Sequence, residues 1–157
     1  MAVSRGKQFE DIVKKAFEAV EGTVVVRLHD QTTGYFGSKN PCDFLIYHKP
    51  VLYVLECKSI RGNTFPLSNI SDFQWNSLMS MGDVKGVVAG VICWYIDRDV
   101  TLFVSSHKLK EYQDLGFKSI RFDVFDNAGI YQVKGKKKRV FFDYDMSEFF
   151  KEVRPNV

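Results

Sequence analysis

The sequence predicts an α/β fold in which a mixed central β-sheet is flanked by helices, and three observations carry that expectation. Runs rich in β-branched and aromatic residues recur along the chain, among them TVVVRL (23–28), VLYVLECK (51–58) and GVVAGVICWYI (86–96). Between them lie stretches whose apolar residues return at helical spacing. The run 51–58 is apolar on both faces, with Leu52 and Val54 on one and Val51, Tyr53, Leu55 and Cys57 on the other. Such a strand is central and covered on both sides, as in a layered α/β domain.

Taken in order, residues 3–21 read as a helix. Phe9, Ile12, Val13, Ala16, Phe17 and Val20 line one face, and Gly22 stops it. Strand 23–28 leads into a polar, glycine-bearing excursion, HDQTTGYFGSKNP (29–41), that returns as CDFLIY (42–47). The turn HKP then folds the chain into 51–58 as a hairpin. A loop, SIRGNTFPLSNI, precedes a helix from Ser71 to Met81 closed by Gly82. Strands GVVAGVICWYI and VTLFVSS are joined by the tight turn DRD, and HKLKEYQDLG is a short helix. The strand SIRFDVF and a hairpin, IYQVKGKKKRVFFDY, follow. The last element, DMSEFFKEV, carries an Asp145…Glu148 capping pattern. No internal repeat or linker divides the chain, so residues 1–157 are expected to form a single domain.

Composition narrows the class. With 45% apolar and 15% aromatic residues the chain folds rather than staying disordered. Its apolar run at 86–96 is too short to span a bilayer. The stretch MAVSRGKQFEDIVKK carries acids and has no apolar core of a signal peptide, so no membrane association and a cytoplasmic location are expected. Cys42, Cys57 and Cys93 form neither a disulfide framework nor a CxxC metal pattern and read as free, buried thiols. His29, His48 and His107 lack metal-ligand spacing. The net charge of +3 argues nothing about nucleic acid, but KGKKKR at 134–139 packs five cations into six residues. At a hairpin tip and with no compensating acid among them, Lys134, Lys136, Lys137, Lys138 and Arg139 would stand in solvent, ready for phosphates, against the alternative of an ordinary solvated charged turn.

The chemistry concentrates in NPCDFLIYHKPVLYVLECKS (40–59). Glu56 and Lys58 are two apart on a strand, so they share a face roughly 7 Å apart at the α-carbons. Asp43 opens the neighbouring strand and faces Glu56 directly or diagonally. Two converging carboxylates repel unless a cation lies between them, and a hard divalent ion such as Mg²⁺ suits the pair. A lysine beside that ion holds a water and offsets charge on a phosphoryl transition state. The alternative is structural: Asp43 capping a turn, with Glu56 and Lys58 a strand-end ion pair.

The same stretch resembles the motif of the PD-(D/E)xK nucleases, although the leading pair here is Pro41-Cys42-Asp43, one residue looser than Pro-Asp. More of the chain resembles the RecU family of Holliday-junction resolvases. SRGKQFEDIV is similar to that family's opening helix, FPLSNISDFQWNSL to its segment after the lysine, and GFKSIRFDVFDNAG to a late segment. The resemblance implies a PD-(D/E)xK core, with Asp43, Glu56 and the Cys57 carbonyl holding Mg²⁺ (or Mn²⁺). Lys58 would serve the water and the transition state. It further implies that Glu10 completes the metal's surroundings, against the alternative of a solvated helix acid. Gln74 would orient a water or phosphate, against a purely capping role in Ser71-x-x-Gln74. Arg5 would touch the DNA backbone, against a flexible terminus. The family's projection between the first two strands is shorter here, where Tyr35 and Phe36 could stack on junction bases and Lys39 meet a phosphate. Those aromatics could instead pack on their own domain or on a partner subunit. The expected activity is resolution of four-way DNA junctions by a homodimer. The alternatives are a restriction- or repair-type endonuclease of the same superfamily and a junction-binding protein that does not cut.

Overall fold

In the computed structural model, which describes residues 4–28, 40–124 and 128–155, ten strands, four α-helices and two single-turn 3-10 helices (Leu67–Asn69 and Ile96–Arg98) account for the regular structure of those residues. Helix α1 (Arg5–Glu18) starts at Ser4, whose hydroxyl accepts from the Lys7 N–H. Strand β1 (Thr23–Arg27) follows, then β2 (Phe44–His48) and β3 (Val51–Ile60). Beyond them come β4 (Thr64–Pro66), helix α2 (Asp72–Gly82), β5 (Val87–Tyr95), β6 (Val100–Ser105) and α3 (Ser106–Asp114). The chain ends with β7 (Ser119–Arg121), β8 (Ile130–Gln132), β9 (Gly135–Lys137), β10 (Phe142–Tyr144) and α4 (Met146–Glu152).

Six strands form the main sheet, in the order β1-β2-β3-β5-β6-β8. It is mixed, because α2 carries the chain back across the sheet and β5 therefore lies parallel to β3, while every other neighbouring pair is antiparallel. Two apolar layers sandwich it. On one face Phe9, Val13 and Phe17 of α1 and Phe149 and Phe150 of α4 pack with Tyr53, Leu55 and Cys57 of β3. On the other, Leu78 of α2 and Leu109 of α3 pack with Val54, Val91 and Cys93. Each fully buried side chain of this size is worth about 1.5–3 kcal/mol. The Tyr53 hydroxyl donates to the Val153 carbonyl at 2.7 Å and ties the end of α4 to the central strand. The expected mixed sheet, flanked by helices on both faces, is the observed architecture. No helix among the described residues is long and apolar enough to cross a membrane.

Several boundaries differ from the sequence reading, each for a visible reason. Helix α1 ends at Glu18, and the next turn leads to Gly22, whose φ of +79° suits glycine. Strand β2 begins at Phe44, not Cys42, so Asp43 sits in the bend before it. Strand β3 runs on to Ile60 because β5 offers it a parallel ladder as far as Tyr95, so Glu56 and Lys58 are not its last residues. Of the expected strand 119–125, whose last residue lies outside the described residues, only β7 is a strand, and it pairs with β4. The expected single hairpin over 130–144 is split: β8 joins the main sheet against β6, and only β9 and β10 form a hairpin. All three cysteines are free and buried.

Candidate active site

Asp43 is held from both sides by the backbone. Its N–H donates to the Leu55 carbonyl at 3.1 Å, and its carbonyl accepts from the Leu28 N–H at 2.8 Å. Phe44 pairs with Leu55 in the β2–β3 register, so the next position in that register sets Asp43 against Glu56. The Asp43 carboxylate accepts from the Cys57 N–H at 2.8 Å. Glu56 lies on the same face of β3 as Lys58, whose ammonium is 3.2 Å from Glu56 Oε2.

Helix α2 completes the cluster. The Ser71 hydroxyl accepts from the Gln74 N–H at 3.2 Å, and Gln74 Oε1 accepts from the Ser71 N–H at 3.3 Å, a full capping box. The same Gln74 amide donates from Nε2 to Glu56 Oε2 at 2.8 Å, and Lys58 Nζ lies 3.4 Å from its oxygen. Capping and site contact are therefore not alternatives. One amide does both.

The electrostatics of the pair are unfavourable as it stands. Glu56 is 3% exposed, and its Oε1 is buried without a hydrogen-bond partner. Burial pushes both carboxyls above their ordinary values. At Glu56 the charge of Asp43 adds to that rise, and Lys58 opposes it. At Asp43 the Cys57 N–H and the charges of Lys58 and Arg27 pull the other way. A buried and a half-buried carboxyl with a strand-borne lysine and an orphaned oxygen fit a hard divalent cation, which would relieve both the repulsion and the missing partner. Among the described residues no three His, Cys, Asp or Glu side chains converge, so protein carboxylates would fill only part of such an ion's shell.

The other predicted residues are placed unequally. Glu10 pairs with the Arg27 guanidinium, which also donates to Asp11 at 2.9 Å. Glu10 is thus ion-paired rather than a simple solvated acid, and no three-carboxylate cluster occurs among the described residues. Sequence reasoning missed Arg27, although it closes the run TVVVR one register position from Asp43, opposite Phe44. Arg5 is exposed at the first turn of α1. That turn lies over the end of β3, since a Cβ built on Gly6 would come 3.9 Å from Ser59 Oγ. Tyr35, Phe36 and Lys39, with His29, lie outside the described residues. Burial pushes the Cys42 thiol up to about 12, and those of Cys57 and Cys93 also rise, which suits inert core thiols.

The basic run is not a bare hairpin tip. Lys134 precedes β9, Lys136 sits on β9 opposite Asp143, and Lys137 pairs with Asp99 at 2.7 Å. Only Lys138 and Arg139 stand in the turn itself, where the Lys138 N–H donates to the Phe141 carbonyl at 2.8 Å. The reading of five cations without a compensating acid is therefore corrected: Asp99, 38 residues away in sequence, supplies one.

Comparison with known proteins adds the following. A family model described as recombination protein U matches residues 12–144. That span includes Arg27, Asp43, Glu56, Lys58 and Gln74. Among solved structures, Hjc of Archaeoglobus fulgidus, described as a Holliday junction resolvase from an archaeal hyperthermophile, is 20% identical. The match covers 65% of this chain and 78% of that one, with a TM-score of 0.46. No curated protein matches the chain.

Proposed function

This chain belongs to the recombination protein U family, and on that premise we propose that it is a divalent-metal-dependent endonuclease that resolves four-way DNA junctions by paired nicks. The observation that carries the reading is the buried Glu56, one oxygen of it unpartnered, beside the half-buried Asp43 and Lys58.

Asp43 and Glu56 would hold Mg²⁺, or Mn²⁺ in its place, with the Cys57 carbonyl as a further ligand. The Cys57 N–H already points to Asp43, and in an extended strand a residue's N–H and C=O face the same edge. When bound, the ion supplies Lewis acidity to a phosphoryl oxygen and lowers the pKa of water. Hydrolysis joins a water oxygen to phosphorus and breaks the bond to the leaving ester oxygen, which takes up a proton. Lys58, its side chain 23% exposed and steadied by Glu56 and Gln74, presents its ammonium to that water and to the growing negative charge. Gln74 fixes the Glu56 carboxylate from the helix side. Glu10 acts through Arg27, whose charge favours the ionised form of Asp43.

Two nicks on opposing strands need two sites, so a homodimer of this single nuclease domain matches the two-fold symmetry of a junction. Arg5, Lys134, Lys136, Lys137, Lys138 and Arg139 would hold DNA phosphates; Lys39 would meet a further phosphate and Tyr35 and Phe36 would stack on junction bases, at positions outside the described residues. Purified protein in Mg²⁺ should cut a four-way junction in preference to duplex, nicked and flap substrates of the same sequence. Equal cutting of all four would favour a general repair or restriction endonuclease.

Two residue-level outcomes follow from the contacts. Ser71→Ala should cost about 1 kcal/mol of stability and leave cleavage near wild type, because it removes only the cap. Gln74→Ala should lower single-turnover cleavage about ten-fold or more, since it also frees Glu56 and Lys58. Melting temperatures alongside cleavage rates separate the two effects. For the basic run, Lys138→Ala with Arg139→Ala should flatten the slope of log affinity against log salt by about one to two, roughly 0.9 per lost phosphate contact. Lys137→Ala should change it less, because Asp99 already neutralises that charge. Equal slopes for wild type and the double variant would remove these residues from the DNA interface.

A further inference from the structure

Phe73 is a large aromatic side chain that the fold does not use. It is 43% exposed and belongs to neither apolar layer, whereas Trp75 and Leu78 of the same helix pack inward. A lone exposed hydrophobic residue is ordinary on a protein surface. Its position is what matters. Phe73 immediately precedes Gln74, whose amide contacts both Glu56 and Lys58. Side chains of a helix tilt toward its N-terminus, so the Phe73 ring leans toward the end of α2 that abuts the carboxylate pair. A polyanionic strand brought to Lys58 would carry its bases past that end of α2. An aromatic face there takes a base without reading its identity, because every base has a π-face.

We propose that Phe73 is a substrate-stacking residue of this site, its ring taking the nucleobase of a nucleotide that flanks the cleaved phosphate. The inference rests on the nuclease reading and deepens it, by naming what positions the scissile strand. The DNA backbone is held by cations at many points, whereas one stacked base beside the reacting phosphate sets the strand's register relative to Lys58 and Asp43.

The test uses the full-length protein and a four-way junction with 2-aminopurine placed in turn at each nucleotide flanking the mapped cut, bound in Ca²⁺ so that chemistry does not proceed. Wild-type protein should quench the probe at one of these positions, Phe73→Ala should not, and Phe73→Trp should restore quenching. In Mg²⁺ the Phe73→Ala variant should raise KM about ten-fold with kcat changed much less, and Phe73→Leu should behave as Phe73→Ala because it keeps apolar bulk without a ring. Unaltered melting temperatures exclude a folding defect, as expected for a side chain outside both cores. Identical quenching and KM in wild type and Phe73→Ala would overturn the proposal. So would a Phe73→Ala protein that sediments as a smaller species, which would give the ring to a contact between copies of this chain. If wild-type protein bound no branched DNA, the nuclease reading itself would fail, and this inference with it.

Discussion

Glu56→Gln should lower cleavage of a four-way junction by about 10²-fold or more while junction affinity in Ca²⁺ is kept or improved. The variant preserves shape and the contact from Gln74 Nε2, so what it removes is the charge that a cation needs. Affinity survives because one negative charge facing a polyanion is gone. Asp43→Asn should behave alike, since its carboxylate shares the pair and accepts the Cys57 N–H. Lys58→Ala should lose a similar factor for a different reason, the missing ammonium at the phosphoryl group. Single-turnover rates with gel-shift affinities on the same preparations decide the matter. Cleavage at the wild-type rate by Asp43→Asn would break the site assignment.

The same substitution should make the metal-free protein more stable. Burial and the neighbouring Asp43 charge raise the Glu56 carboxyl, so their combined effect against its ionised form exceeds the help from Lys58. Folding must therefore protonate Glu56 near neutral pH, a cost that a neutral amide does not carry, so the substitution should gain about 1–2 kcal/mol there, each unit of pKa displacement being worth about 1.4 kcal/mol. For a domain of this size that is a rise of about 2–8 °C in Tm. The pH dependence has a definite sign. Because the folded value lies above the unfolded one, the folded state binds the extra proton between about pH 4.3, the ordinary Glu value, and the raised value. This contribution is present below that window and is lost as pH rises through it. Melting curves of chelator-treated protein should fall with rising pH in wild type and flatten in Glu56→Gln. A Glu56→Gln protein less stable than wild type at neutral pH would mean that the carboxylate is well satisfied without a cation.

How far the sequence could be read follows from the range of the interactions involved. Asp43, Glu56 and Lys58 were legible because strand alternation and one tight turn, all within 16 residues, decide which face each occupies. Gln74 was legible as a cap, but its reach to Glu56 needed the docking of α2 beside β3. Arg27 was not legible: its pairing with Glu10 spans 17 residues and depends on α1 lying against β1. The end of β3 was misjudged because the parallel ladder that extends it comes from β5, on the far side of a helix. The basic run was misjudged for a like reason. Local charge counting cannot see that β8 leaves the hairpin for β6, or that Asp99 meets Lys137.

The central claim is that the Asp43–Glu56 pair beside Lys58 is a metal-dependent site for cutting branched DNA. Its most direct test is cleavage of an end-labelled four-way junction by chelator-treated protein, with and without added Mg²⁺. The account predicts no product in chelator, and in Mg²⁺ symmetric nicks on two opposing strands, absent from a parallel reaction with Glu56→Gln. Full cutting in excess chelator, or unchanged cutting by Glu56→Gln, would contradict it.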